Sequence, residues 1–254
     1  MSFFDDASLA FLPSGGAGKD TKAYSIKPTD GSGDFTFSRG SNLAATRVGP
    51  TGLIEKGREN LLLRSNEFDT TWATIDSNVT SSQSGYDGSS DAWLLSKTGA
   101  SGRITQTKSI SGIFTFSVYV KKGTTDWVLL YKTGTGEGGR YFDLTNGVTG
   151  SSIATAPIDS KIEDVGNGWY RCSIVGNSAT AVVAYVADSN GSQSGTSGSI
   201  YIQDAQAEIG LAATEVITTG ATTGKAGLLE DEPRFDYSGV RLARVFCWSR
   251  VGRS

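Results

Sequence analysis

From Asn60 to Thr222 the chain is written as short runs of alternating apolar and polar residues. Each run is closed by Gly, Asn, Asp or Ser, and the runs recur roughly every ten residues. Successive side chains of a strand point to opposite faces. Thr115-Phe116-Ser117-Val118-Tyr119-Val120-Lys121 therefore puts Phe116, Val118 and Val120 on one face and Thr115, Ser117 and Tyr119 on the other. One of these faces is expected to be core and the other wet or only partly covered. Trp127 to Tyr131, Trp169 to Val175 and Ala181 to Val186 read the same way, and Ser199 to Ala205 makes a closing strand. None of these runs shows the i, i+3, i+4, i+7 spacing of an amphipathic helix. The expected fold class is all-β, an antiparallel β-sandwich.

Composition agrees. With 33 Gly among 254 residues and five Pro, the chain can make many tight turns, and 37% hydrophobic content suffices for a sandwich with one solvated face per sheet. A net charge of −3 with scattered Lys and Arg leaves no electrostatic footprint for nucleic acid. No run of about 18 apolar residues is present, and the first residues lack a signal-peptide core, so membrane insertion is not expected. The expectation is a chain made in a cytosol and released by another route, such as lysis. Cys172 alternates with Tyr170 and Ile174 and reads as a small buried hydrophobe. It and Cys247 are expected to be free.

The absence of His excludes Ser-His-Asp and Cys-His catalysis and His-based metal sites. Carboxylate-only glycoside hydrolysis survives that exclusion, since it needs only two acids about 5 to 10 Å apart. The candidates are Asp87, Asp91, Asp126, Glu137, Asp143, Glu163, Asp164, Asp188, Asp204 and Glu208. Their spacing singles out no pair, and most sit in turns where Asp is favoured for backbone reasons. The reading is that the chain is not an enzyme, and no catalytic residue is assigned.

Four separated segments carry a resemblance. They are Asn60-Leu61-Leu62-Leu63-Arg64-Ser65-Asn66-Glu67-Phe68-Asp69-Thr70-Thr71-Trp72, Gly85 to Leu95, Ile162 to Cys172, and Ser199-Ile200-Tyr201-Ile202-Gln203-Asp204-Ala205-Gln206-Ala207-Glu208. Together, in this order, they resemble a module of tailed-bacteriophage fibre and appendage proteins. That module is similar to a carbohydrate-binding jelly roll. Phe35 to Arg39, Ala45 to Val48 and Gly52 to Glu55 resemble the N-terminal connector of the same proteins, which lies on the virion side of their receptor-binding modules.

The organisation that follows has four parts. Residues 1–21 form an extended attachment peptide and linker, in which Phe3, Phe4, Leu9, Phe11 and Leu12 precede a Gly-rich run. This peptide either docks back on the sandwich or, the favoured reading, inserts into another subunit or virion protein. The Gly15 to Asp20 run is not a phosphate loop, because Pro13 and Asp20 stand where Gly and Ser or Thr are required. Residues 22–59 form a connector, with a β-hairpin around the turn Thr29 to Gly33. Residues 60–222 form the jelly roll.

Residues 223–254 hold a second connector, in which Gly227-Leu228-Leu229-Glu230 repeats Gly52-Leu53-Ile54-Glu55, and a short tail. Codons exist for Val240 to Ser249 that, read one base earlier, encode Gly-Ser-Ser-Cys-Pro-Ser-Leu-Leu-Leu-Glu, the family's segment at this place. Residues 240–254 are therefore expected to be translated out of frame, the alternative being an ordinary basic tail with four Arg.

The resemblance implies a virion tail or head fibre that contacts host-surface polysaccharide and assembles as a homotrimer with other virion proteins. The alternative is a purely structural decoration or adaptor that binds no sugar. Sugars stack on aromatic faces, and Trp72, Trp93, Trp127, Tyr131, Tyr141, Trp169 and Tyr185 are available; for each the competing role is core packing. Trp127 at a turn edge, and Arg140 and Tyr141 after a Gly-rich loop, are the candidate sugar-binding residues. A structural calcium, common in similar jelly rolls, would use Asp204 or Glu208 with loop carbonyls, the alternative being a solvated strand face. No other cofactor is expected.

Overall fold

A computed structural model describes residues 57–226 with their side chains. Outside that span it describes short backbone pairings and a turn. The chain divides into two compact units, Glu59–Gly224 and a second formed by Met1–Arg58 with Lys225–Ser254. In the second unit Leu9–Ala10 pairs with Cys247–Trp248, Lys22–Ala23 pairs with both Gly18–Lys19 and Phe35–Thr36, and Thr46–Val48 pairs with Ile54–Lys56. The backbone and hydroxyl of Ser32 both donate to the Asp30 carboxylate in the turn, at 2.9 and 2.7 Å. Phe3, Phe4, Phe11, Leu12, the side chain of Leu9 and, apart from the backbone of Cys247–Trp248, the tail 240–254 lie outside the described residues.

Glu59–Gly224 is all-β. In chain order its sandwich strands are β1 (Ala73–Ile75), β2 (Ser77–Gln83), β3 (Ala92–Lys97), β4 (Arg103–Lys122), β5 (Trp127–Thr133), β6 (Gly138–Asp143), β7 (Val148–Ala154), β8 (Asp159–Gly166), β9 (Trp169–Ala187) and β10 (Ser199–Ile209). They hydrogen-bond into one ten-stranded antiparallel sheet that folds over on itself. The long strands β4 and β9 pair along their whole length and belong to both layers. Ile113–Lys122 and Trp169–Asn177 sit in a first layer of order β8-β9-β4-β10-β3-β2. Arg103–Thr107 and Ala181–Tyr185 continue into a second layer of order β7-β6-β5-β9-β4-β1. Between the layers the β4–β9 register slips on either side of Ile110, and Gly112 (φ 79°) and Ser178 (φ 56°) take left-handed backbone. Irregularities of this kind bend a ribbon from one sheet into the next.

Alternation sets the core. Phe114, Phe116, Val118, Val120, Cys172 and Ile174 of the first layer cluster with Val128, Leu130, Phe142, Val182, Ala184 and Val186 of the second, none more than 2% exposed. Burial pushes the Cys172 thiol above its ordinary titration range. The opposite face of the first layer departs from expectation. Thr115 and Ser117 are each 1% exposed and Tyr119 8%. The loop 84–91 lies over this face, with the Tyr86 ring stacked on Tyr119 at 3.8 Å. The segment after β10 also crosses it: Thr115 Oγ1 donates to Gly210 O, and Thr214 donates to Glu208 through both its backbone and its hydroxyl.

These covering segments have little regular structure, so their buried peptide groups need side-chain partners. Four buried amides supply them, because an amide carries the same donor and acceptor as a peptide. Asn60 donates to Ala205 O and Ile217 O and accepts from Leu62 N and Ala207 N. Gln106 exchanges a donor and an acceptor with the Leu63 peptide, both at 2.8 Å. Gln206 accepts from Ile217 N and donates to Glu208, and Gln203 accepts from Tyr86 N while donating to Asp91. Ser65 and Thr219 cap one another through reciprocal backbone-to-hydroxyl bonds of 2.9 Å.

The two residues named for a structural calcium have protein partners in this arrangement. The Glu208 carboxylate is occupied by Gln206 and Thr214, and Asp204 accepts from the Tyr86 hydroxyl at 3.0 Å. Among the described residues no group of three His, Cys, Asp or Glu side chains could hold a metal ion. Burial, with the nearby Asp91 and Asp87 charges, pushes the Asp204 carboxyl up to about 6 against the Tyr86 hydrogen bond.

Two outcomes follow. Asn60→Ala strands four buried peptide groups and is expected to cost about 3 kcal/mol or more in urea denaturation; a loss near zero would mean that water takes over these bonds. The folded protein holds the Asp204 proton to about pH 6 while the unfolded chain releases it near the ordinary value of 3.8. The native state is therefore favoured by this group at low pH, and that contribution is lost as pH rises through the folded value. The Tm of Asp204→Asn minus that of the parent should grow across this window in thermal melts; a constant difference would contradict it.

Candidate functional site

The outer face of the second layer carries three aromatic side chains, Trp127, Tyr131 and Tyr185, that stay partly exposed. Cross-strand pairing arranges them in rows. One row runs Tyr141, Leu129, Tyr185, Arg103, Ile75 across β6, β5, β9, β4 and β1. The row on one side holds Trp127 and Ala187, and the row on the other holds Tyr131, Val183 and Thr105. Neighbouring strands lie about 4.8 Å apart and alternate residues about 7 Å along a strand, so Trp127 and Tyr131 lie about 14 Å apart with Tyr185 beside the midpoint. All three are partly exposed, whereas Leu129, Tyr141 and Ala187 among them are buried. Tyr131 and Tyr185 meet edge to face, with ring centroids 6.1 Å apart, and the Arg103 guanidinium sits 5.2 Å over the Tyr185 ring.

Neighbouring groups set the orientation of these rings. A Cβ at Gly150 would stand 2.6 Å from Cζ3 of Trp127 and 2.5 Å from Asn190 Oδ1, so only glycine lets the indole lie against β7 at this point. Tyr141 donates its hydroxyl to Gln193 Oε1 in the loop after β9. That loop is clamped by Lys97, whose fully buried ammonium donates to Asp188 Oδ1 (2.5 Å), Gln193 O (3.1 Å) and Gly195 O (2.9 Å). All three ammonium protons are used, as a buried charge requires. Burial, with Glu137 and Tyr185 nearby, pushes the Tyr131 hydroxyl above its ordinary range. Burial also raises Tyr141, with Tyr185 and Asp188 adding to the effect.

The structure separates the three sugar-binding candidates from the sequence. Trp127 is partly exposed on the aromatic face. Tyr141 points to the same face but is 0% exposed, so it supports the platform and offers no ring surface. Arg140 pairs with Leu130, a core residue, and so alternates to the opposite side, where Nη1 donates to Gly150 O and Nε is buried without an acceptor. Trp72, Trp93 and Trp169 are 5%, 8% and 1% exposed and belong to the interior. Tyr131, Tyr185 and Arg103 take the places on the face. Tyr131 shares the parity of Trp127 on one strand and was within reach of sequence reasoning. Tyr185 and Arg103 join it only through pairing between distant strands.

No family model matches the chain, and no curated protein matches it. Among solved structures, it is similar to a family 61 carbohydrate-binding module in complex with β-1,4-galactotriose, at 12% identity and a TM-score of 0.33 over 58% of this chain and 97% of that one. It is similar to the CBM22-1 xylan-binding domain of a Paenibacillus barcinonensis protein, at 13% identity and a TM-score of 0.35 over 61% of this chain and 96% of that one. It is also similar to the enzymatically active domain of tailspike protein 4 of bacteriophage CBA120, at 20% identity and a TM-score of 0.35, over 58% of this chain but 21% of the tailspike chain. The fold assignment rests on the strand pairing described above rather than on these likenesses.

Proposed function

We propose that the outer face of the second layer binds polysaccharide, with Trp127, Tyr131 and Tyr185 as the stacking surface. The observation that supports this reading is the contrast between the two outer faces: the first is roofed by the loop 84–91 and the segment after β10, while the second leaves three aromatic rings partly exposed in one strip. The C–H patches of a pyranose fit the electron-rich face of an aromatic ring, and hydroxyl-bearing neighbours on a flat sheet suit a long chain rather than an enclosed monosaccharide. The sequence resemblance adds the setting, a bacteriophage fibre or appendage on the virion, trimeric, attached through residues 1–21 and released by lysis.

Binding without catalysis is the reading we adopt. On this side of the sandwich Asp188 is bound by Lys97 and the Gly195 amide, and Asp143 is used to cap the turn at Thr145 and Asn146. Neither is a free acid or base. A second reading, an architectural joint of the virion, draws on a different region. Ile113, Ile158 and Leu211 are 42%, 57% and 63% exposed, and Leu211 lines a groove of about 260 Å³ with Val175 and Ala213. Apolar surface of this kind suits contact with another protein.

Trp127→Ala and Tyr185→Ala are each expected to weaken binding to a retained polysaccharide by about tenfold, with little change in Tm because both rings are partly exposed. Affinity electrophoresis against a polysaccharide panel measures this. Retention that is indifferent to both substitutions would place the site elsewhere, and no retention by any polymer would leave the architectural reading.

A further inference from the structure

Resting on the glycan reading above, we infer that the polysaccharide contains carboxylated sugars, and that Arg103 is the residue that holds the carboxylate. Arg103 lies in the central row of the aromatic face, paired to Tyr185 on one side and Ile75 on the other. Its backbone is fixed by these two strands and by the Ser77 hydroxyl, which donates to Arg103 O at 2.6 Å. Two contacts hold the guanidinium, the stack 5.2 Å over the Tyr185 ring and one bond from Nη1 to Ser101 O at 3.2 Å. The remaining N–H donors find no acceptor among the described residues, and they are not among the buried unpartnered atoms. No described carboxylate lies within 4.0 Å of it.

The guanidinium is thus oriented by its stack, partly open to solvent, and short of an anion. A planar fork in this state matches a carboxylate by two parallel hydrogen bonds, a geometry that a lysine cannot copy. Three other cations of the second layer do not serve this face: Lys97 is engaged by Asp188 and two carbonyls, Lys132 by the Thr135, Asn177 and Ser178 carbonyls, and Arg140 alternates to the opposite side. Positive charge on the face therefore centres on Arg103 beside Tyr185.

The test uses the whole chain and isothermal titration with a panel of uronate-containing heteropolysaccharides, each presented native and carboxyl-reduced. The expected result is that a native heteropolymer binds about tenfold or more tighter than its reduced form. Arg103→Met should bring the native polymer down to the reduced level, and Arg103→Lys should recover only part. Equal binding of native and reduced forms, unaffected by Arg103→Met but lost in Tyr185→Ala, would overturn the carboxylate inference and leave the glycan reading standing. Failure of every polymer, native and reduced, would overturn the glycan reading and this inference with it.

Discussion

The sandwich depends on satisfying peptide groups where strands cannot. A β-sheet pairs its own backbone, but the chain that enters at Asn60, the loop 84–91 and the segment after β10 run over buried surface with few ladder partners. Asn60 meets this need with all four of its amide hydrogen-bonding positions, joining Leu62, Ala205, Ala207 and Ile217. An aliphatic residue at that place would fill the volume and leave four peptide groups dry and unpaired, which outweighs anything gained from burying extra apolar surface. Gln106, Gln203 and Gln206 repeat the solution elsewhere. Because each amide has one geometry that satisfies it, these residues also specify a unique path for segments that hydrophobic burial alone would leave free to slide.

The roofing of one layer has a consequence for the other. Once the segment after β10 and the loop 84–91 cover the first layer, the second layer's outer face keeps Trp127, Tyr131 and Tyr185 partly open. The bent β4–β9 pair makes this possible. A strand confined to one layer would present a single outer face, whereas β4 and β9 carry Tyr119 and Arg171 under the roof at one end and Arg103 and Tyr185 on the open strip at the other. The same two strands thus supply core, covered face and candidate site.

Charge is used sparingly and locally. Lys97 and Lys132 are buried residues whose ammonium groups gather backbone carbonyls, Lys97 from the loop after β9 and Lys132 from Thr135 in the loop after β5 and from the irregular stretch of β9 at Asn177 and Ser178. Arg171 takes a different course. It lies 8% exposed above Tyr119 and donates to Ser117, with Nε left without an acceptor. Stacking on an aromatic ring stabilises such a cation, and Arg103 over Tyr185 shows the same pairing on the open side.

The period-two alternation by itself determined that this chain is an antiparallel sandwich and which residues of each strand face inward, because side-chain direction along a strand is a local property. It placed Phe116, Val118 and Val120 in the core and Cys172 with them. The segments Asn60 to Trp72 and Ser199 to Glu208 stood out in the sequence, but not the reason: they meet in space, and the polar residues of one satisfy the backbone of the other. Local spacing also put Trp127 and Tyr131 on one face. It left open whether Tyr141, on that same face, would be bare or covered, and whether Thr115, Ser117 and Tyr119 would be wet. Those questions turn on which strands lie side by side and on which loops fold over them. Tertiary structure decided them, by bringing Gln193 over Tyr141, Tyr86 over Tyr119 and Arg103 beside Tyr185. Exposure and juxtaposition are set by contacts between residues far apart in the chain, and no local pattern encodes them.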